Sequence, residues 1–347
     1  MGKFQAPKGT RDLYPDDVLR QRYITQAWRD VSIRHGFDEI IGPTFEHPDI
    51  YKLKSGEGIV SELFSFRREG GDDDYALRPE FTPTLARMYA ARARQLPQPT
   101  KWFTAGPYFR AEKPQRGRLR EFLQWNVDVM GLPGGLNAED AESAEGKAQA
   151  DAEVIDCAVV LLEQLGLEAE FATVKISDRD VVTNLIQDAG VNDQNIQRAF
   201  ELLDRHSKMD ETSFVTECTK IGLIFDTFVE DANDYEQVVT SGVAWVEAGG
   251  TSQKTKRFDF AGIHLLLRRL EELGAGSWAV PNLKIVRGLA YYTGTVFEVI
   301  ADGERAVCGG GRYDKLVEMF GGPATPAVGF GMGDVVLSLL LDDKGLM

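Results

Sequence analysis

The sequence predicts an α+β fold in which an antiparallel sheet is flanked by helices and interrupted by a separate, all-helical stretch. Three observations carry this. Aromatic and β-branched runs come in pairs around turn signals: 63–68 with 75–77 about EGGDDD, and 102–109 with 122–129 about a loop holding Pro114 and Gly117. Runs with apolar residues at helical spacing, 16–35, 82–93 and 151–165, alternate with those strands. From 178 to 262 strand patterns are few, NIQRAFELLDRH and DANDYEQVVTSGVAWVEAG keep helical spacing, and β-rich sequence resumes at 283. The chain of 347 residues therefore divides into 1–177, a helical insertion at 178–262, and 263–347. It also exceeds the size at which one core keeps growing.

Taken in order, 16–35 puts Leu19, Tyr23, Ile24, Ala27, Trp28 and Val31 at helical spacing, and Gly36 ends the run. The strand at 37–45 is broken by Gly42-Pro43, which implies a sheet edge or a bulge and an edge suited to a partner chain. The hairpin at 63–77 delivers Arg78-Pro79-Glu80-Phe81-Thr82; Pro79 fixes its own φ and biases Arg78 toward extended geometry, so Glu80 and Thr82 project from a rigid ledge. After the 102–129 hairpin comes a Gly-rich loop, LPGGLNAEDAESA, whose Asn137 is placed to cap a helix. The helix at 151–165 stops at Gly166, and a strand follows at 170–176. Beyond 283, LKIVRGLAYYTGTVFEVI reads as β-rich, CGGGRYD as a Gly-rich turn, and PAVGFGMGDVVLSLLL as glycines feeding a terminal helix.

Composition narrows the function classes. Hydrophobic content of 43% and charged content of 27% are those of an ordinary globular protein. No apolar run approaches about 18 residues, and MGKFQAPKGTRDLYPDD has no signal-peptide core, so a cytoplasmic protein without a membrane partner is expected. Cys157, Cys218 and Cys308 are odd in number and free of CxxC, arguing against a disulfide framework or a zinc site. The histidines at 35, 47, 206 and 264 have no ligand spacing, and no metal site is assigned. A net charge of -15 disfavours broad nucleic-acid binding but permits a local basic contact.

Such a contact exists between Arg110 and Arg120, with five basic residues and one acid, Glu112. Alone it reads equally as a solvated hairpin tip or as an anion site. Strand parity places Arg118, Arg120 and Phe122 on one side, continued by Gln124, Asn126 and Asp128. Arg110 and Arg287 suit a planar anion, and Glu80 and Asp128 suit an ammonium or an N–H donor. Together they point to a zwitterion beside a polyphosphate. GFGMGD lacks GxGxxG spacing, no GxxxxGK[ST] occurs, and Cys308 is better read as a buried thiol than as a nucleophile.

These residues carry a family resemblance. FRAEKPQRGRLREF resembles the motif 2 hairpin of class II aminoacyl-tRNA synthetases. IVRGLAYYTGTVFE and CGGGRYDKLVEMFGG resemble the two histidine-specific signatures of the histidyl-tRNA synthetases, and KGTRDLYPDD and LRPEFTPTLAR are similar to that family too. The resemblance implies a class II fold with a mostly antiparallel six-stranded sheet, and a homodimer built on the Gly42-Pro43 edge. It implies ATP-dependent activation of L-histidine, with Mg2+ accompanying ATP, and transfer to the 3′ end of tRNA(His). Glu80, Phe81, Thr82 and Gln124 would hold the amino acid; Asp128, Tyr291 and Tyr292 its imidazole; Arg110 and Arg287 its carboxylate and the α-phosphate. Glu112 would meet the adenine amino group, Phe122 its ring and Arg118 the outer phosphates, while Gln115 and Arg116 lie toward the tRNA acceptor end.

Three departures accompany it. Ala290 replaces the aspartate of RGLDYY, Val336 stands where motif 3 has an arginine, and the sequence stops where relatives continue into an anticodon-binding domain, so a catalytic core cut short is expected. The alternative is a non-catalytic paralogue, the regulatory subunit of ATP phosphoribosyltransferase; an intact motif 2 loop favours the ligase. Family insertions contact the acceptor arm, but 16 acids against 8 bases in 178–262, a net -8, argue against broad phosphate contact here.

Overall fold

The computed structural model describes residues 4–55, 57–132, 144–240, 261–286, 291–301 and 306–347. The chain runs α1 (Pro15–Arg34), β1 (Asp38–Glu39), β2 (Phe45–Glu46), α2 (Asp49–Ser55), β3 (Ser65–Arg67), β4 (Asp74–Leu77), α3 (Thr82–Ala90), β5 (Thr100–Phe109) and β6 (Glu121–Met130). Then come α4 (Ala144–Gln164), β7 (Ala172–Asp178), α5 (Arg179–Asp188), α6 (Ile196–Arg205), α7 (Glu211–Ile221), α8 (Phe225–Thr240) and α9 (Ala261–Leu273). The remainder is β8 (Ala279–Pro281), β9 (Thr295–Ala301), β10 (Ala306–Arg312), α10 (Leu316–Met319), β11 (Ala327–Gly333) and α11 (Asp334–Asp343).

The main sheet has the order β1-β5-β6-β11-β10-β9-β7-β8. Its six central strands are antiparallel throughout, as expected, and β1 and β8 add short parallel edges. A small sheet, β2-β4-β3, stands apart from it. The strand expected at 37–45 is divided between the two sheets. Pro43 has no N–H to donate, and a Cβ on Gly42 would meet Thr84 at 2.7 Å and the Phe81 ring at 2.9 Å, so the chain crosses between sheets there.

Alternation along β6 assigns the two faces. Trp125, Val127 and Val129 point into a core shared with Trp28 of α1, Ile155 and Leu162 of α4, Leu266 and Leu270 of α9, and Leu337 and Leu340 of α11. Trp125 donates its indole N–H to Ser32 Oγ at 2.9 Å and lies 6.2 Å from Trp28, whose own indole N–H is buried without a partner among the described residues. Gly36, at φ 74°, ends α1 in the left-handed region that a residue with a Cβ resists. On the opposite face α3 and α10 supply Phe81, Leu85, Tyr89, Leu316 and Val317. Between 179 and 240 a second cluster forms around Val182, Leu185, Phe200, Phe214, Phe228 and Tyr235, and Ile263, Leu283 and Val286 join it. Helix α9 thus shares its residues between both cores. Among the described residues no helix is long and apolar enough to cross a membrane.

Two expectations need correction. The glycines of CGGGRYD and GFGMGD do not form turns; they lie inside β10 and β11. Tyr291 and Tyr292 precede β9 instead of lying on it. Asn137 and the Gly-rich loop around it fall outside the described residues.

Candidate functional site

The site face of β6 carries Gln124, Asn126 and Asp128, all buried although all polar. Register explains how they fit. Across β5 their partners are Gly106, Thr104 and Trp102, and across β11 they are Gly333, Gly331 and Gly329. Gly329 in turn faces Gly311 of β10. A Cβ on Gly329 would sit 2.0 Å from Asp128 Oδ1, one on Gly331 2.8 Å from Gln124 Nε2, and one on Gly311 2.9 Å from the Tyr292 ring. A glycine inside a strand marks the close approach of another group, and here a side chain singled out in the sequence is among the nearest groups at each, joined at Gly311 by the Thr295 carbonyl at 2.7 Å.

At one end of this face Asp128 Oδ1 accepts from the Tyr313 hydroxyl at 2.5 Å. Burial pushes the Asp128 carboxyl up to about 7, against the opposing pull of the Tyr313 hydrogen bond and the Lys54 charge. The Tyr313 ring is 6.4 Å from Tyr291, which is 4.4 Å from Tyr292. Glu80 accepts from Lys54, whose Nζ stands 3.9 Å from the centre of the Tyr291 ring. Gln124 donates to Asn126 Oδ1 at 2.8 Å. The ledge itself is pinned by Arg78, which is buried and donates to Pro107 O at 2.8 Å and Gly42 O at 3.2 Å.

At the other end Arg110 donates to Pro79 O at 3.1 Å and lies 5.1 Å over the Phe122 ring, which packs 6.1 Å from Tyr108. Arg118 donates to Glu112 Oε1 at 3.1 Å. Burial first, then the neighbouring Glu112 carboxylate, pushes the Glu62 carboxyl up, while Arg110 and Arg118 pull it down. Arg120 departs from the expected strand face: its backbone N–H donates to Gly9 O at 2.8 Å and its Nε to Glu112 O at 3.0 Å, so it fastens the base of the loop. At the loop tip Gly117 adopts φ 73° between Gln115 and Arg118, and Arg116 reaches Asp343 at 3.0 Å.

Glu80, Asp128, Tyr291 and Tyr292 therefore gather at one end and Arg110, Glu112, Arg118 and Phe122 at the other, with Gln124 and Asn126 between them along β6. Thr82 begins α3 beside them. Phe81 is fully buried with Leu85 and Tyr89, beneath the ledge. Gln115 and Arg116 lie away at the tip, and Arg287 and Ala290 fall outside the described residues. Val336 belongs to the core on the far face, while a different arginine, Arg11, meets Asp334 at 2.6 Å at the start of α11. Lys54, Glu62 and Tyr313 were not foreseen; only Tyr313 had a sequence signal, its place in GGGRYD. A groove of about 510 Å³ between α6 and α7 is lined by residues such as Arg198 and Glu217, which pair with each other at 2.8 Å, and it carries none of these groups. Among the described residues no three metal-ligating side chains come together.

A sheet of this order, with an arginine-bearing hairpin on its open face, is the class II aminoacyl-tRNA synthetase fold. Solved structures share it. One is described as an ATP phosphoribosyltransferase regulatory subunit/histidyl-tRNA synthetase from Bacillus halodurans, with TM-score 0.76 and 23% identity over 98% of this chain and 83% of that one. Another is a histidyl-tRNA synthetase from Nostoc sp., with TM-score 0.75 and 22% identity over 100% and 77%. The sequence relationship is closer. The histidyl-tRNA synthetase family model matches residues 9–333. The histidine–tRNA ligase of Haloarcula marismortui is 38% identical over 350 residues, 99% of this chain and 76% of the relative; that of Opitutus terrae is 36% identical over 354 residues, 100% and 77%. The chain belongs to the histidyl-tRNA synthetase family.

Proposed function

We propose that this chain is a histidine–tRNA ligase that activates L-histidine with ATP and passes it to the 3′ end of tRNA(His). The observation that supports this most is the two-ended face: acidic side chains with a tyrosine cluster at one end, amides between, and two guanidinium groups, one of them over an aromatic ring, at the other. In this reading Glu80 and Gln124 take the substrate ammonium, and Asp128, with Tyr291 and Tyr292, takes the imidazole. Phe122 stacks on adenine, whose amino group meets Glu112, and Arg118 releases Glu112 to take the outer phosphates. The histidine carboxylate attacks the α-phosphorus in line, pyrophosphate leaves, and Arg110, moved off the Phe122 ring it covers here to admit adenine, stabilises charge growing on the phosphoryl oxygens. A tRNA hydroxyl then attacks the acyl carbon and AMP leaves. Mg2+ would be held chiefly by the phosphates of bound ATP, where it would neutralise their charge.

We further read the protein as a cytoplasmic homodimer, with 178–262 as its own domain. The regulatory-subunit alternative draws on the double description of the Bacillus halodurans structure, but the relatives at 36–38% identity named as ligases favour the enzyme. Histidine-dependent ATP–pyrophosphate exchange decides between them. Exchange is expected, and Arg110→Ala should slow it about 10²- to 10³-fold, the usual effect of removing one donor to a developing oxyanion. A folded protein with no exchange at saturating substrates would end the ligase reading.

A further inference from the structure

Helix α2 places Tyr51 and Lys54 three residues apart, on one side of the helix, and both are buried. The Lys54 side chain has 0% exposure. A buried ammonium persists only where other groups compensate its charge. Here the compensation comes from the Glu80 carboxylate and the face of the Tyr291 ring, 3.9 Å from Nζ. Asp128 also lies within the field of the Lys54 charge. Glu80, Tyr291 and Asp128 are the groups assigned above to the amino-acid substrate, so an internal cation already occupies the place meant for an external one.

We infer that Lys54 fills the ammonium subsite of the substrate-free protein, and that the α-ammonium of the incoming amino acid displaces it from Glu80. The inference rests on the reading of Glu80 as the substrate's ammonium acceptor. Two ammonium groups on one carboxylate repel each other, and a carboxylate already neutralised by Lys54 has little field left for a second cation. Exchange of one cation for another avoids leaving the half-buried Glu80 bare. The flexible four-carbon stem of lysine lets Nζ withdraw while the helix stays in place. Both ammonium groups keep their protons, so the step is an exchange of ion pairs and nothing else. It also sets a selection rule: a ligand without an ammonium that ejects Lys54 leaves Glu80 unpaired, so an amine-bearing ligand is preferred before any chemistry begins.

The test is calorimetric titration of L-histidine into the wild type, Lys54→Met and Glu80→Gln. Removing the internal competitor should tighten binding by Lys54→Met about tenfold, because apparent affinity is reduced by the fraction of protein held in the occupied state. Glu80→Gln should weaken binding. Unchanged or weaker binding by Lys54→Met, with Glu80→Gln weakened, overturns the inference and leaves the amino-acid site standing. Unchanged binding by Glu80→Gln overturns the site reading and the inference together. Should Lys54→Met not fold, amidination of wild-type lysines mapped by mass spectrometry serves in its place. Lys54 should become more reactive when L-histidine saturates the protein, and an unchanged reactivity overturns the displacement.

Discussion

Burial, against the opposing pull of a tyrosine hydroxyl, holds Asp128 in a state that couples the site to pH. Its carboxyl is pushed from the ordinary 3.8 up to about 7, so between those values the folded protein keeps a proton that the unfolded chain has released. Stability therefore falls as pH rises through that window, and above it the ionised, buried carboxylate costs on the order of 4 kcal/mol. Asp128→Asn removes the cost. Its Tm should exceed that of the wild type at about pH 8, with the gap closing toward about pH 4; a gap independent of pH in thermal denaturation would contradict the assignment. The same aspartate was legible in the sequence because strand parity ties it to Gln124 and Asn126. Lys54 was not legible, since a lysine in DIYKLKS reads as a solvated helix face, and only the packing of α2 against the ledge turns it inward.

At the scale of the element, β11 makes room for the site by lacking side chains. Gly329→Ala would place a Cβ 2.0 Å from Asp128 Oδ1, whereas Gly333→Ala meets only Leu123 O at 4.0 Å. The first should lower stability by about 1 to 3 kcal/mol in urea unfolding, the usual cost of overpacking, and weaken histidine binding at least about tenfold; the second should do neither. Equal affinities for the two variants would refute this account of the glycines. Their strand character was hidden for a physical reason. Glycine has no side chain to stabilise a strand, so GGG and GFGMG read as turns until the neighbours that fill the vacated space are known. The hairpin of β5 and β6, with ordinary alternation, was legible almost to its ends.

For the whole molecule, the small sheet exposes Phe45 and Phe66, whose rings lie 5.9 Å apart, and Ile41 lies close by in the chain, 81% exposed. Apolar surface of this kind on a short, proline-broken edge fits a second copy of the chain. Light scattering at micromolar concentration should give twice the chain mass, and Ile41→Lys combined with Phe45→Lys should give a monomer; a monomeric wild type would overturn the dimer. The six-stranded sheet was expected from family resemblance, while its order rests on long-range pairing that no local pattern encodes. That order has a consequence in time. Among the described residues, β5 and β6 join β10, β9, β7 and β8 in the sheet only through β11, the strand that precedes α11. Tyr291 and Tyr313 lie on the late side of that junction, Arg110 and Phe122 on the early side. Until 327–333 leave the ribosome and slot between two half-sheets, the nascent chain has two unjoined edges and the tyrosines of the amino-acid end stay apart from Glu80 and Asp128, so joining the sheet and completing that end of the site are one late, non-local event.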